Sequence, residues 1–407
     1  MKVKTGIYFT ATSLYKTVSA MVISLLAISE IGPEKLGLWQ AALLVKPYMG
    51  FIQLGLTEGL GRELPYLMGQ QRMERVKRFA SSAQFVTTCY TSICMLVALF
   101  LTFFVADGGE EKLIYATAGV FISTMFVDNY LSATYRSSHS FNLLSKVYII
   151  SSTFGLLLIP LIYLMEFEGY MILLLIHSLV STALLVFYRP LKVKSFFDKP
   201  IYFENVKIGF PMMVLSFLRS IPDSYPRIFI LFFISTTALG LTAPSNAVLM
   251  AFNVLPAALS KYIFPNLTFE YGKTNDKTIM WERIKRFSFQ LMGLGILGLF
   301  SLFVIPYAID NYFPKYEEAI YITMVSVIIG FFRMFSVIFN VFNTLKRFKE
   351  QFRVSVSRNI LYLIIPPIFF FSAPQGSELL YIFLGVLLAE IIAAIVLFAF
   401  VHKVTHD

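Results

Sequence analysis

Charge is scarce in this sequence: Asp, Glu, Lys and Arg make up 14% of its 407 residues, against 57% apolar types. A water-soluble chain of that length needs far more polar surface, so the composition excludes a soluble multidomain protein and points to lipid as the solvent. Histidine is sparse as well. His139, His177, His402 and His406 are scattered, with two on the carboxyl-terminal tail. No nucleophile elbow or phosphate-binding glycine loop appears, so the motifs of acyl-transfer and nucleotide chemistry are missing. The two cysteines, Cys89 and Cys94, fall on one predicted helix at a spacing that points them to different sides, too far apart to bridge. No enzyme, cofactor or resident metal is expected.

Apolar runs of about 20 residues are abundant, each long enough to cross roughly 30 Å of hydrocarbon as a helix. Twelve are predicted: Gly6–Ser29, Leu36–Thr57, Phe79–Ala106, Leu113–Tyr135, Phe141–Met165, Tyr170–Tyr188, Ile208–Ile234, Ala243–Phe264, Phe287–Tyr307, Ala319–Thr344, Val354–Phe371 and Leu379–Val401. The expected fold class is an all-α polytopic membrane protein. A net charge of +10 invites a nucleic-acid reading, but the placement of Lys and Arg excludes it. The odd-numbered loops hold only Lys35, Lys112 and Lys315, whereas the second, sixth, eighth and tenth loops are each strongly basic. By the positive-inside rule both termini are cytoplasmic, as expected of a multi-pass protein of a bacterial cytoplasmic membrane. Met1-Lys2-Val3-Lys4 imitates a signal peptide, yet the run behind it is too long and carries Lys16, so it reads as an uncleaved first span.

The chain also partly matches itself at a shift of about 203 residues. Gly6 meets Gly209, Lys16 meets Arg219, Leu36-Gly37-Leu38 meets Leu239-Gly240-Leu241, Leu64 meets Leu267, and Gly69 meets Gly272. After a short insertion, Arg75-Val76-Lys77-Arg78-Phe79 meets Arg283-Ile284-Lys285-Arg286-Phe287. Six spans separate the copies, so both halves start with the same orientation, a parallel repeat. The predicted organisation is a six-helix lobe over 1–188, a cytoplasmic linker over 189–207 and a second six-helix lobe over 208–407. Transporters that alternate access commonly take this form, two lobes rocking about a central site.

Leu36-Gly37-Leu38-Trp39, Gln53-Leu54-Gly55-Leu56 and Arg62-Glu63-Leu64-Pro65 in the first half resemble the oligosaccharide and polysaccharide flippases of the MATE-like superfamily, the group containing O-antigen exporters. In the second half the resemblance is carried by Gly209-Phe210-Pro211, Phe264-Pro265-Asn266-Leu267, Tyr271-Gly272-Lys273, Phe313-Pro314-Lys315-Tyr316-Glu317-Glu318-Ala319 and Asn343-Thr344-Leu345-Lys346-Arg347. It covers most of the chain. It implies two pseudo-symmetric six-helix bundles around a cavity, and movement of an undecaprenyl-diphosphate-linked glycan from the cytoplasmic to the periplasmic leaflet. The sequence departs from the family pattern at the end of the seventh span, where Asp223 and Arg227 are separated.

Charges deep in the spans mark the candidate site, because each central charge opposes insertion by roughly 2.5 to 3.5 kcal/mol. By depth they are Lys16, Lys46, Arg219, Arg227 and Arg333, with the acids Asp128, Asp223 and Glu390. Lys146, Lys261 and Arg358 lie nearer the predicted ends and read as snorkelling. Arg219, Asp223 and Arg227 sit at i, i+4 and i+8, a spacing that allows a ladder of ion pairs. Even if every acid pairs, the five cations leave an excess of positive charge that attracts a diphosphate, so the cations are candidate substrate contacts. The acids are candidates for a coupling Na⁺ or H⁺, or for structural pairing. Pro47, Pro211, Pro222, Pro226 and Pro256 interrupt spans and mark bend points.

The expected activity is transport without covalent chemistry, by a chain functional as a monomer. Its partners are the lipid-linked glycan, membrane lipids and enzymes of polysaccharide assembly, with no nucleic acid. A drug/cation antiporter of the same superfamily is the rival within the class, and it expects an acidic cavity. A membrane enzyme of polysaccharide assembly, such as a polymerase or O-acyltransferase, expects a large periplasmic loop, and every odd-numbered loop is short.

Overall fold

The computed structural model describes residues 3–254, 256, 277–339, 341, 342, 345 and 347–406. The motifs around Phe264 and Tyr271, with Lys261, Asn343, Thr344 and Lys346, lie outside the described residues. Among the described residues there is no strand. The helices are α1 (Val3–Glu30), α2 (Pro33–Leu43), α3 (Met49–Ile52), α4 (Leu56–Gly69), α5 (Met73–Phe100), α6 (Gly109–Ser137), α7 (Phe141–Leu157), α8 (Pro160–Phe187), α9 (Lys199–Phe233), α10 (Thr236–Leu241), α11 (243–254), α12 (Lys277–Leu299), α13 (Ser301–Tyr312), α14 (Ile320–Arg333), α15 (Phe348–Phe371) and α16 (Glu378–His406).

Eight helical stretches among the described residues are long and apolar enough to cross a membrane. Phe104, Leu164, Phe232 and Phe303 on their outer faces are 78% to 82% exposed, which lipid tolerates and water does not. The chain is a multi-pass membrane protein. The remaining predicted spans fall short for local reasons. The second is broken, since α2 stops at Leu43 and Pro47 sits in a 3₁₀ turn over Lys46–Tyr48, its ring removing a helical donor. The fourth, α6, is continuous, but Thr117, Ser123, Thr124 and Asp128 lower its hydropathy. The fifth breaks before Pro160, and the eighth runs beyond the described residues. The fifth loop, expected at 166–169, is a sharp bend: Glu166 takes φ 44 and ψ −112, and Gly169 returns against the Leu161 carbonyl, where a Cβ would lie 1.9 Å from the oxygen.

The chain forms two compact units, Met1–Ile31 with Leu38–Phe217, and Gly32–Gly37 with Leu218–Asp407. Of the predicted linker, only residues 189–198 lack regular structure, because α9 already starts at Lys199. Pro200 stands in its first turn, where a missing N–H goes unused. Asp198 caps this start, Oδ1 accepting from the Ile201 N–H at 3.4 Å, while Arg78 holds Oδ2 at 2.7 Å. Arg75 pairs with Glu204 at 2.6 Å. Two of the three cations in the first basic pentapeptide thus fasten the connector to α5.

In the first unit the packing is tightest where α9 meets the start of α4. A Cβ on Gly209 would lie 1.9 Å from the Gly55 carbonyl oxygen, and Gly55 itself has φ 83, which favours glycine. Its core gathers Leu60, Leu64, Phe79, Tyr135 and Leu144, all 0% exposed. The Tyr135 hydroxyl donates to the Leu185 carbonyl at 3.0 Å. In the second unit the repeat-matched glycines Gly37 and Gly240 pack on each other. A Cβ on Gly240 would lie 1.7 Å from the Pro33 carbonyl oxygen and 2.9 Å from the Gly37 nitrogen. The duplicated Leu-Gly-Leu motif therefore marks a backbone-to-backbone contact that admits no side chain.

Candidate functional site

In the first unit, the middle of α1 carries Lys16. Thr12, one turn earlier, donates to Ser145 of α7 at 3.0 Å, which fixes α1 against α7. The Lys16 ammonium then stands 4.4 Å from the centre of the Tyr148 ring. Lys46, in the turn that Pro47 imposes, places its ammonium 4.4 Å from the Phe121 ring of α6. Trp39 supports Phe121 edge-on, with centroids 6.3 Å apart. Asp128 of α6 accepts from the Thr182 hydroxyl of α8 at 2.7 Å. Lys16 lies within electrostatic range of Asp128, Lys46 and His177. Neither lysine forms an ion pair among the described residues. Among the described residues the constellation is two half-buried ammonium groups on aromatic faces with one nearby carboxylate.

Each ring contact stabilises its ammonium by about 0.5 to 2 kcal/mol and covers one side of a group with three donors. An anion offers such an ammonium charge-assisted hydrogen bonds that a ring cannot. A pair with a net positive charge, held open by aromatic supports, suits a phosphate or diphosphate ligand.

The second unit is arranged differently. Arg333, at the end of α14 and 8% exposed, donates from Nη1 to Asp223 at 2.8 Å and from Nη2 to the Tyr362 hydroxyl at 3.2 Å. Its Nε is 3.9 Å from Glu390. Arg358 grips both Glu390 oxygens from Nη2, at 3.0 and 2.9 Å, and Tyr362 donates to the same carboxylate. Two guanidiniums and two carboxylates are thereby matched. Arg227 lies within electrostatic range of Asp223.

The ladder along α9 does not form at its first rung. Asp223 turns to Arg333, and Arg219 is exposed and makes no ion pair among the described residues. Arg358, read from sequence as snorkelling, is a buried partner of Glu390 instead. The span was predicted to begin at Val354, whereas α15 begins at Phe348, which sets Arg358 a further turn and a half deep. The spacing of Arg358 and Tyr362, one turn apart, was the available signal. Phe121 and Tyr148 carried none, being two aromatics among 66.

No protein-family model matches the chain, and no curated protein sequence matches it. Solved structures do. A multidrug resistance MATE family transporter of the MOP superfamily, inward-facing, superimposes with a TM-score of 0.75 at 15% identity, over 97% of this chain and 94% of that one. The fold is MATE-like. A MATE family transporter in the outward-facing conformation gives 0.63 at 14% identity, over 99% and 96%. The lipid II flippase MurJ, inward closed, gives 0.73 at 14% identity, over 97% and 87%. These MATE-like neighbours are transporters and a flippase rather than enzymes, and their twelve-helix architecture accounts for the spans that local polarity and prolines interrupt.

Proposed function

We propose that the protein is a flippase that moves an undecaprenyl-diphosphate-linked oligosaccharide from the cytoplasmic to the periplasmic leaflet by alternating access. The observation that carries this reading is the pair Lys16 and Lys46, set on aromatic rings with Asp128 the one nearby acid among the described residues. The pair binds the diphosphate. In the second unit Arg219, exposed and without an acid partner among the described residues, is a separate candidate for contact with an anion. Arg333 and Arg227 are assigned to the ionic network of the second unit rather than to the substrate. Asp128, which forms no ion pair among the described residues, is the acid left for a coupling H⁺ or Na⁺. An antiporter of cationic drugs needs the opposite balance, an excess of acid over base.

The test is reconstitution of the purified chain into vesicles holding a fluorescent undecaprenyl-diphosphate glycan. The inner-leaflet glycan is expected to become accessible to an external quencher only in vesicles with protein. No flipping, together with uptake of a cationic dye, would favour the antiporter.

The distribution of Lys and Arg supports an orientation with both termini in the cytoplasm. Cysteines at exposed Gly109 and Gln375 should react with an impermeant thiol reagent outside intact cells, and cysteines at exposed Lys194 and Lys349 only after permeabilisation. The inverse pattern would reverse the orientation.

A further inference from the structure

α15 carries a polar stripe of which the ion-pair network uses only Tyr362, among the described residues. Gln351, Ser355, Asn359 and Tyr362 stand at i, i+4, i+8 and i+11, within an arc of about 80° on a helix of 3.6 residues per turn. All four are buried, at 0% to 4% exposed. Both carboxamide atoms of Gln351 and both of Asn359 lack a hydrogen-bond partner among the described residues. Buried amides are almost always satisfied, by protein or by ordered water. These two cannot satisfy each other, since eight residues of helix separate them by about 12 Å along the axis.

Something small must lie beside them. It has to donate as well as accept, because each carboxamide presents both functions. It has to be uncharged, because Glu390 is matched by Arg358, and Arg333 by Asp223. Water meets these conditions, with Ser355 between the amides as a further polar neighbour. We propose that the Gln351–Ser355–Asn359 stripe binds a file of internal water molecules that runs along α15 to Tyr362 and the Glu390 network. At that end the path continues through Arg333 to Asp223, whose side chain is 65% exposed. The file gives the buried ion pairs mobile hydrogen-bond partners, so that Arg333 can pass between Glu390 and Asp223 without losing all of its acceptors. This inference is independent of the substrate.

Hydroxyl-radical footprinting of the full chain in lipid nanodiscs tests it, because radicals generated from bound water oxidise side chains beside it. Tyr362, 0% exposed, is expected to be oxidised, whereas Tyr135, also 0% exposed but bonded to a backbone carbonyl, is not. Gln351→Leu combined with Asn359→Leu should lower Tyr362 oxidation about fivefold by drying the stripe, while Tyr312, 64% exposed, keeps its yield. Asn359→Ser keeps a polar group and adds room, so it should retain Tyr362 oxidation; it also serves if the leucine variant does not fold. Absence of Tyr362 oxidation in the unmodified protein, or an unchanged yield in the folded leucine variant, overturns the proposal.

Discussion

Lys16→Ala is expected to leave the protein folded in the membrane and to cut glycan flipping by about 10- to 100-fold. That range corresponds to one lost charge-assisted hydrogen bond of about 1.5 to 3 kcal/mol. Folding should survive because Lys16 makes no ion pair among the described residues: its contact is the Tyr148 ring, and Asp128 keeps its bond from Thr182. Removing a charge from the middle of α1 also relieves an insertion penalty of roughly 3 kcal/mol. Lys16→Arg retains a cation and should keep more transport than Lys16→Ala, though the planar guanidinium fits a site shaped for an ammonium less well. Asp128→Asn separates binding from neutralisation. Were Lys16 present only to balance Asp128, the Lys16→Ala, Asp128→Asn double variant would transport as well as Asp128→Asn alone. A lysine that binds the diphosphate leaves the double variant well below Asp128→Asn alone. Transport normalised to folded protein in vesicles decides between these outcomes, and near-normal flipping by both Lys16→Ala and Lys46→Ala removes the cationic site.

The two units differ in how much of their chemistry was legible. Lys16, Lys46 and Asp128 stand out as candidates by depth alone, because a charge about 15 Å along an apolar helix needs a protein or water environment whatever the fold. What depth could not supply was partnership. Asp223 is one turn from both Arg219 and Arg227, so a local rule favours the ladder, but Arg333, distant in sequence, takes the carboxylate at 2.8 Å. Such a pairing depends on which helix faces meet, and a single sequence does not encode that in its spacing. The repeat was more informative, since Gly37 and Gly240, matched by sequence, also meet in space. Glycine pairs are legible because a side chain at a backbone-to-backbone contact is forbidden outright, whereas an arginine accommodates several partners. Prolines split the same way. Pro47 breaks its span, but α9 runs unbroken through Pro211, Pro222 and Pro226, and nothing in the sequence separates the two outcomes.

Glu390→Ala should be far more damaging to the fold than any change at Lys16. Glu390 is 4% exposed and receives Arg358 through both oxygens, Tyr362 through its hydroxyl and Arg333 at 3.9 Å. Deleting one member of a buried ionic set leaves its partners desolvated and unmatched, at a typical cost of about 3 to 5 kcal/mol. Most of that charge imbalance falls on Arg358, because Arg333 retains Asp223 at 2.8 Å. Glu390→Gln keeps an acceptor for Tyr362 and Arg358 while removing the charge, so its loss of folded protein should be smaller. The decisive comparison is Glu390→Leu combined with Arg358→Met, which removes both halves of the tightest pair and substitutes apolar volume. Buried ion pairs replaced in this way are often neutral or stabilising, so the double variant should recover monodisperse protein that Glu390→Ala loses. If flipping recovers with it, the pair is structural. If the protein folds but flipping stays absent, the Glu390–Arg358 pair belongs to the transport cycle itself, most simply as the contact that must part when Arg333 moves between its two carboxylates.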